Sequence, residues 1–202
     1  LERIVEHYAE IMRSGDGLFL SSAREQIVSA VGDISETAEG HIAVPTIKES
    51  VFTIELVGQC VRTMDAISFQ DDEWWSSSLG HEYLVRHQVA MTHGVVIRRI
   101  FVMPGDADTR AKLMHSIVSQ ADMGIDVRVI SEDALSPEQR RDIVIYDERY
   151  VRSGSVGEPR TARLSRNSDD ISDATNLFAD AWLRADAVAD FRLNIPGKGE
   201  SR

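Results

Sequence analysis

The sequence predicts an α/β sandwich, a mainly parallel or mixed sheet covered by helices, with a helical extension at its N-terminus. Three observations predict it. Helix-like and strand-like segments alternate from residue 46 to residue 190. Val95 to Met103 is an almost continuous apolar run rich in β-branched residues, the strongest strand signal in the chain. The residues before 45 differ in composition, so 1–44 are assigned to the extension and 45–195 to the α/β domain.

Within the extension, Leu1, Ile4, Tyr8 and Ile11 share one stripe and predict an amphipathic helix. The run from Ser14 to Gly17 breaks it. A second helix follows, with Ser22 and Glu25 spaced as a capping box and Ala23, Ile27 and Val31 facing inward. Residues 32–45, rich in Gly, Ser, Glu and Thr, read as a linker. Pro45-Thr46 starts the next helix, whose face carries Ile47, Val51, Ile54, Gly58 and Val61.

Ala66 to Phe69 is a short apolar strand, and the polar run Gln70 to Glu73 leads into Trp74-Trp75. Residues 79–93 form a helix with Leu79, Tyr83, His87, Ala90 and Met91 on one face and Gly94 just past its end. After the strand ending at Met103, Asp106 or Asp108 caps a helix striped by Leu113, Met114, Ile117, Val118 and Ala121. Ile125, Val127 and Val129 alternate as a strand, Ile143 to Ile145 form another, and Tyr150-Val151 is its hairpin partner. Ser168 caps a long helix running through Phe178 and Trp182 to Ala185. The tail after Pro196 is expected to fray.

Composition narrows the function classes. The 202 residues carry Lys+Arg 22 against Asp+Glu 33, a net charge of −11. That field repels phosphate backbones and anionic lipid, so direct nucleic-acid binding and a membrane-surface role are not expected. Cys60 is the single cysteine, which excludes an intrachain disulfide and a cysteine-rich zinc site. No apolar run reaches the ~18 residues of a membrane span, and no signal peptide is read ahead of the first helix. A cytoplasmic protein is expected, and the opening on Leu1 is consistent with a piece of a longer chain.

Several residues invite a chemical role. His81, His87 and His93 are evenly spaced, but six helical residues turn about 600°, so the rings cannot converge on a metal. No metal or cofactor is expected. Gly154-Ser155 is either a β-turn or a cradle for an anion. Arg98 and Arg99 are neighbours on a strand and face opposite sides, so one is buried and needs a partner. That partner is a carboxylate in a structural salt bridge or an anionic ligand. Trp74 and Trp75 follow a strand end, where open α/β sheets hold their ligands, and either line a pocket or fill a hollow.

Residues 140–155 read RRDIVIYDERYVRSGS. The segment resembles the His-x-Lys-x4-Asp-x6-Gly-Ser motif of the phospholipase D superfamily, with Asp147 at the aspartate and Gly154-Ser155 at the Gly-Ser pair. Arg140 stands at the histidine position and Asp142 at the lysine position. The step from Met91 through Gly94 into Val95–Val102 is similar to a helix-to-strand step of that fold. Asn167, ahead of the helix with Phe178 and Trp182, resembles the asparagine-led helix closing one half-unit. The resemblance covers about residues 46–190, one half-unit.

In that superfamily the histidine attacks phosphorus and the lysine holds phosphate oxygens. A guanidinium stays protonated and cannot be the nucleophile, and an aspartate repels the phosphate it replaces a lysine to hold. The resemblance therefore implies a phospholipase D-like fold without catalysis: a regulatory or sensory domain, ligand-sensing and dimerising, of a bacterial or archaeal regulator. An assembly module without a small ligand is the alternative, and an enzyme of unrecognised type a lesser one. A homodimer is expected. A ligand is expected at Asp147, Ser155 and Asn167, with Trp74 and Trp75 as an apolar wall. The nearby Asp71, Asp72, Glu73 and Asp142 make that ligand polar or cationic.

Overall fold

The computed structural model describes residues 9–10, 13, 17–44, 46–154 and 162–189. The predicted first helix and the tail after Pro196 lie almost wholly outside them. The chain divides into two units, Leu1–Ile42 and Ala43–Arg202.

In the first unit, α1 runs unbroken over Gly17–Ala38. Ser22 is therefore not its cap, and residues 32–38 are helix rather than linker. No proline interrupts the segment, and a single interior glycine at position 32 costs only ~1 kcal/mol. Val31, expected to face inward, is 57% exposed, and Ile34 beyond it is 67% exposed. The helix ends where Gly40 takes φ 93, a conformation that only glycine adopts without strain.

The second unit is built on an eight-stranded mixed sheet. The strands are β1 (His41–Val44, which spans the boundary between the units), β2 (Thr63–Ser68), β3 (Val96–Met103), β4 (Asp126–Ser131), β5 (Asp142–Tyr146), β6 (Tyr150–Gly154), β7 (Ala162–Ser165) and β8 (Asp186–Ala187), in the order β1-β7-β6-β5-β2-β3-β4-β8. β2, β3 and β4 are parallel; β5 turns back antiparallel on β2, and β6 and β7 continue as antiparallel neighbours. The helices are α2 (Thr46–Gln59), α3 (Asp72–Ser76), α4 (Ser78–Thr92), α5 (Ala107–Asp122) and α6 (Ser168–Arg184).

Strand alternation assigns the two faces. Met64, Ala66, Ile97, Phe101, Val127, Val129, Val144 and Tyr146 meet Leu56, Val57, Tyr83, Ala90, Leu113 and Ile117, so α2, α4 and α5 cover one face. Ile67, Ile100, Val102, Ile143, Ile145 and Val151 meet Ala174, Leu177, Phe178 and Ala181, so α6 covers the other. Of the predicted stripe, Ile54 packs against the core while Gly58 and Val61 are exposed; the buried residues of α2 are Thr53, Leu56 and Val57, and the side chains of Ile47 and Val51 lie outside those described. Leu56 and Val57 offer a fuller apolar surface than a stripe interrupted by a glycine.

Caps set the helix starts. Asp106, not Asp108, caps α5, its carboxylate accepting from the amides of Asp108 and Thr109. Asn167, one residue before the expected Ser168, caps α6 by accepting from the Asp169 amide at 2.8 Å. Ser77 caps α4 through the amide of Gly80.

Candidate functional site

The parallel strands β2, β3 and β4 end together at Ser68, Met103 and Ser131. β5 starts at this edge, since Ile143 pairs with Ile67, and β6 finishes here, since Gly154 pairs with Asp142. The chain leaving β2 forms α3, a five-residue helix capped by Asp71, whose carboxylate accepts from the Trp74 amide at 2.9 Å. The edge thus gathers Asp142, Gly154, Trp74 and Trp75.

It does not gather Asp147 or Asn167. Five residues of strand carry Asp147 ~16 Å along β5 from Asp142. β7 runs antiparallel to β6 with Val151 opposite Ser165, which brings Asn167 to that same far end. Ser155 lies outside the described residues. The expected grouping of Asp147 with the tryptophans is therefore corrected: a strand separates the two ends of the motif.

At the far end Asp147 works as a clamp. It and Glu148 have φ 53 and 54 and, with Arg149, make the three-residue turn between β5 and β6. Asp147 Oδ1 accepts from the amides of Arg62 (2.7 Å) and Thr63 (2.9 Å), and Oδ2 from the amide of Val61 (2.9 Å). The Cys60 thiol donates to it as well, at 3.3 Å. Burial pushes the Asp147 carboxyl up, but these bonds outweigh burial and hold it below its ordinary range. The same burial and the adjacent carboxylate push the Cys60 thiol up to about 11. Beside the turn, a cavity of about 610 Å3 is lined by Glu148, Arg149, Tyr150, Arg166, Ser168 and Asn176, among others.

At the strand-end edge both motif positions are engaged within the protein. Asp142 is 7% exposed and pairs with Arg152, itself 5% exposed, at 2.6 Å. Its second oxygen accepts from the Phe69 amide and the Gln70 side-chain amide at 3.3 and 3.4 Å. Arg140, at the histidine position, donates to Glu132 at 3.1 Å and to the Leu135 carbonyl at 3.4 Å. Asp72 accepts from Ser116 at 3.0 Å, tying α3 to α5. Three of the four carboxylates behind the expected cationic ligand are thus spent on internal contacts: Asp71, Asp72 and Asp142.

The tryptophans divide. Trp75 is buried and Trp74 half-buried, with ring centroids 4.6 Å apart and edge to face. Trp75 also meets Phe101 at 5.5 Å, and Trp74 meets Tyr83 at 5.5 Å.

Beneath Trp75 lies a cluster that sequence reasoning did not assemble. Arg99 is 1% exposed; its guanidinium sits 4.8 Å from the Trp75 ring centroid and 5.6 Å from that of Tyr83. It donates through Nη1 to Gln120 Oε1 and through Nη2 to His87 Nε2 at 2.9 Å. His87 Nδ1 lies 2.6 Å from the Tyr83 carbonyl oxygen. A carbonyl only accepts and a guanidinium only donates, so the ring carries its proton on Nδ1 and is neutral. Burial first, then the Arg99 charge, lower its pKa to about 3. His81 and His93, by contrast, are exposed on other sides of α4.

The adjacent Arg98 answers the question posed by the sequence for the opposite face. It forms a bidentate pair with Asp65, at 2.7 and 2.6 Å, and stacks over Phe178. The buried arginine is thus Arg99, and the carboxylate partner belongs to Arg98. Strand alternation signalled that the two oppose one another, but Asp65 and Gln120 lie on distant elements and no local pattern marks them.

These features define a phospholipase D-like fold: a mixed α/β sheet layered with helices, in which the motif-bearing hairpin sits beside the parallel strands. No family model and no curated protein matches the chain. Solved structures do. TrmBL2, an archaeal chromatin protein described as showing a novel mode of DNA binding, is 15% identical over 92% of this chain and 69% of its own, at TM-score 0.51. Nuc from Salmonella typhimurium, a phospholipase D family member, is 15% identical over 68% of this chain and 88% of its own, at 0.50. NucT from Helicobacter pylori is 10% identical over 73% and 96%, at 0.52. The match to TrmBL2 extends beyond the α/β unit. None of the described helices is long and apolar enough to cross a membrane.

Proposed function

We propose that this chain is a non-catalytic regulatory or sensory module of phospholipase D-like fold, ligand-sensing and dimerising, in a bacterial or archaeal signalling or transcription regulator. The observation that carries the reading is the state of the two motif positions. Arg140 is held by Glu132, and Asp142 is buried against Arg152. An arginine has no free lone pair to attack phosphorus, and a carboxylate locked to its own cation leaves no phosphate clamp. The test is turnover of bis-p-nitrophenyl phosphate by the purified chain. No release above buffer is expected. Turnover that disappears in Arg140→Ala, a partly exposed position whose loss leaves the core intact, would overturn the reading.

Dimerisation is supported by α1, where Val31 and Ile34 are exposed at helical spacing. Light scattering at micromolar concentration is expected to give twice the chain mass of 22.5 kDa, and a monomer would remove this part of the proposal. The same stripe favours the second reading, an assembly module without a small ligand. A protein partner that binds the chain, with no saturable small-molecule binding, would decide for it. Direct nucleic-acid binding is left out of the proposal, because the net charge of −11 opposes it. Anisotropy with duplex DNA at 150 mM salt is expected to show no saturation.

A further inference from the structure

We propose that the cavity of about 610 Å3 between the β5–β6 turn and α6 binds a small organic anion, its phosphomonoester or carboxylate group held by Arg149 and Arg166; this rests on the ligand-sensing reading and deepens it by naming the ligand class and the place. The argument starts from the walls. Ser168, Ile171, Ser172, Thr175 and Asn176 recur at helical spacing and lay one stripe of α6 along the cavity. The neighbouring stripe, Ala174, Leu177, Phe178 and Ala181, is buried on the sheet and fixes the rotation of the helix. Arg149 and Tyr150 line the same cavity from the turn that Asp147 clamps to the start of β2. The Arg149 amide also donates to the Tyr146 carbonyl at 2.9 Å. Tyr150, Ile171 and Thr175 are half-buried and make the floor, while Arg149, Arg166 and Asn176 are exposed at the rim. Secondary structure therefore forms these walls before any ligand arrives.

Charge and hydrogen bonding name the ligand class. Arg149 and Arg166 line the cavity against a single carboxylate, Glu148; Asp169, Asp170 and Asp173 of α6 do not line it. Among the described residues neither of these arginines forms an ion pair, whereas Arg98, Arg140 and Arg152 each hold a carboxylate. The Arg149 guanidinium lies over the Tyr150 ring, 5.5 Å from its centroid. A stacked guanidinium keeps its N–H edge for an oxyanion, which it takes with two parallel hydrogen bonds. Ser168, Ser172 and Asn176, without side-chain partners among the described residues, add neutral donors on the facing wall. The Thr175 hydroxyl donates to the Ile171 carbonyl at 2.8 Å, which leaves its oxygen to accept from a ligand hydroxyl. The volume falls within the ~300–1,000 Å3 of small-molecule sites, well above what a bare ion fills. The anionic group therefore arrives on a carbon skeleton, which meets Tyr150 and Ile171. The chain as a whole is negative, but salt screens its distant carboxylates beyond ~8 Å, so the local excess of one positive charge decides.

The test is isothermal titration calorimetry of the full chain at physiological salt with glycerol 3-phosphate and with malate, glycerol serving as the neutral reference. Saturable binding of at least one anion is expected, and none of glycerol; the arm that saturates tells a phosphomonoester from a carboxylate. Arg149→Gln and Arg166→Gln are each expected to weaken binding about tenfold, and the double variant to abolish it. Glu148→Gln removes the opposing charge and is expected to tighten binding about threefold, a direction that damage to the fold would not give. Arg86→Gln, on α4 and paired with Glu82 at 3.0 Å, is the control and binds as the wild type does. All four positions are exposed, so the variants keep the core. No binding of either anion, equal binding of glycerol, or unchanged binding in the double variant overturns the proposal. Phosphodiester turnover would instead sink the non-catalytic reading and leave this site standing.

Discussion

Asp147→Ala separates a structural aspartate from a chemical one. The carboxylate accepts from three consecutive backbone amides, of Val61, Arg62 and Thr63, at 2.7 to 2.9 Å, and is 5% exposed. A hydrogen bond to a charged acceptor contributes about 1.5–3 kcal/mol. The low end suits a turn that water enters once the side chain is gone, giving ~4.5 kcal/mol for the three. Alanine must also hold φ 53, which adds ~1 kcal/mol. The expected loss is thus ~5.5 kcal/mol, a large share of the ~5–15 kcal/mol that holds a domain folded. Asp147→Asn tolerates the same backbone and keeps one oxygen for Arg62 and Thr63, but turns its amide toward the Val61 donor. It should lose only ~2 kcal/mol. Urea unfolding followed by far-ultraviolet circular dichroism reads both, with the denaturant slope unchanged. An alanine cost under ~1 kcal/mol, or an asparagine cost equal to it, refutes the clamp.

Three further outcomes follow from the geometry. Gly80→Ala should lower the melting temperature by about 4–8 °C, because a Cβ there would lie 2.3 Å from the Trp74 carbonyl oxygen and 2.9 Å from that of Trp75; a rise, as helix propensity alone would give, contradicts the packing. His87 is neutral in the folded state down to about pH 3 and takes a proton near pH 6.5 when unfolded, so its share of stability is complete above 6.5 and shrinks between 6.5 and about 3. At pH 5 the loss is ~2 kcal/mol relative to pH 7.5, and His87→Gln should flatten that slope; an unchanged slope in the variant removes His87 as its source. Cys60, with its thiol pushed up to about 11, should react with iodoacetamide at pH 8 ~100-fold more slowly than a free thiol. A rate equal to that of free cysteine would show the thiol neither buried nor bound to Asp147.

The sheet was legible where the signal is local. β3 and β5 are apolar runs between turn residues, and Gly94, at φ 89, follows α4 where the sequence places it. α1 was misread because Gly32 and its polar neighbours resemble a linker, whereas a long helix absorbs one glycine. α3 was missed because five residues hold no helical period. The cluster around Arg99 was out of reach: alternation opposes Arg98 and Arg99, but the choice of face depends on where Asp65 and Gln120 arrive from other elements. The motif teaches a sharper point. Asp147 opens the three-residue turn, and Gly154 ends the β6 strand that follows, so their separation is the length of that strand plus its turn. Any sequence that builds this hairpin and clamps its turn to the start of β2 satisfies the aspartate-to-glycine spacing. The spacing therefore reports the hairpin. The residues that the resemblance sets at its histidine and lysine positions, 140 and 142, lie at the other end of β5, as an arginine held by Glu132 and an aspartate buried against Arg152.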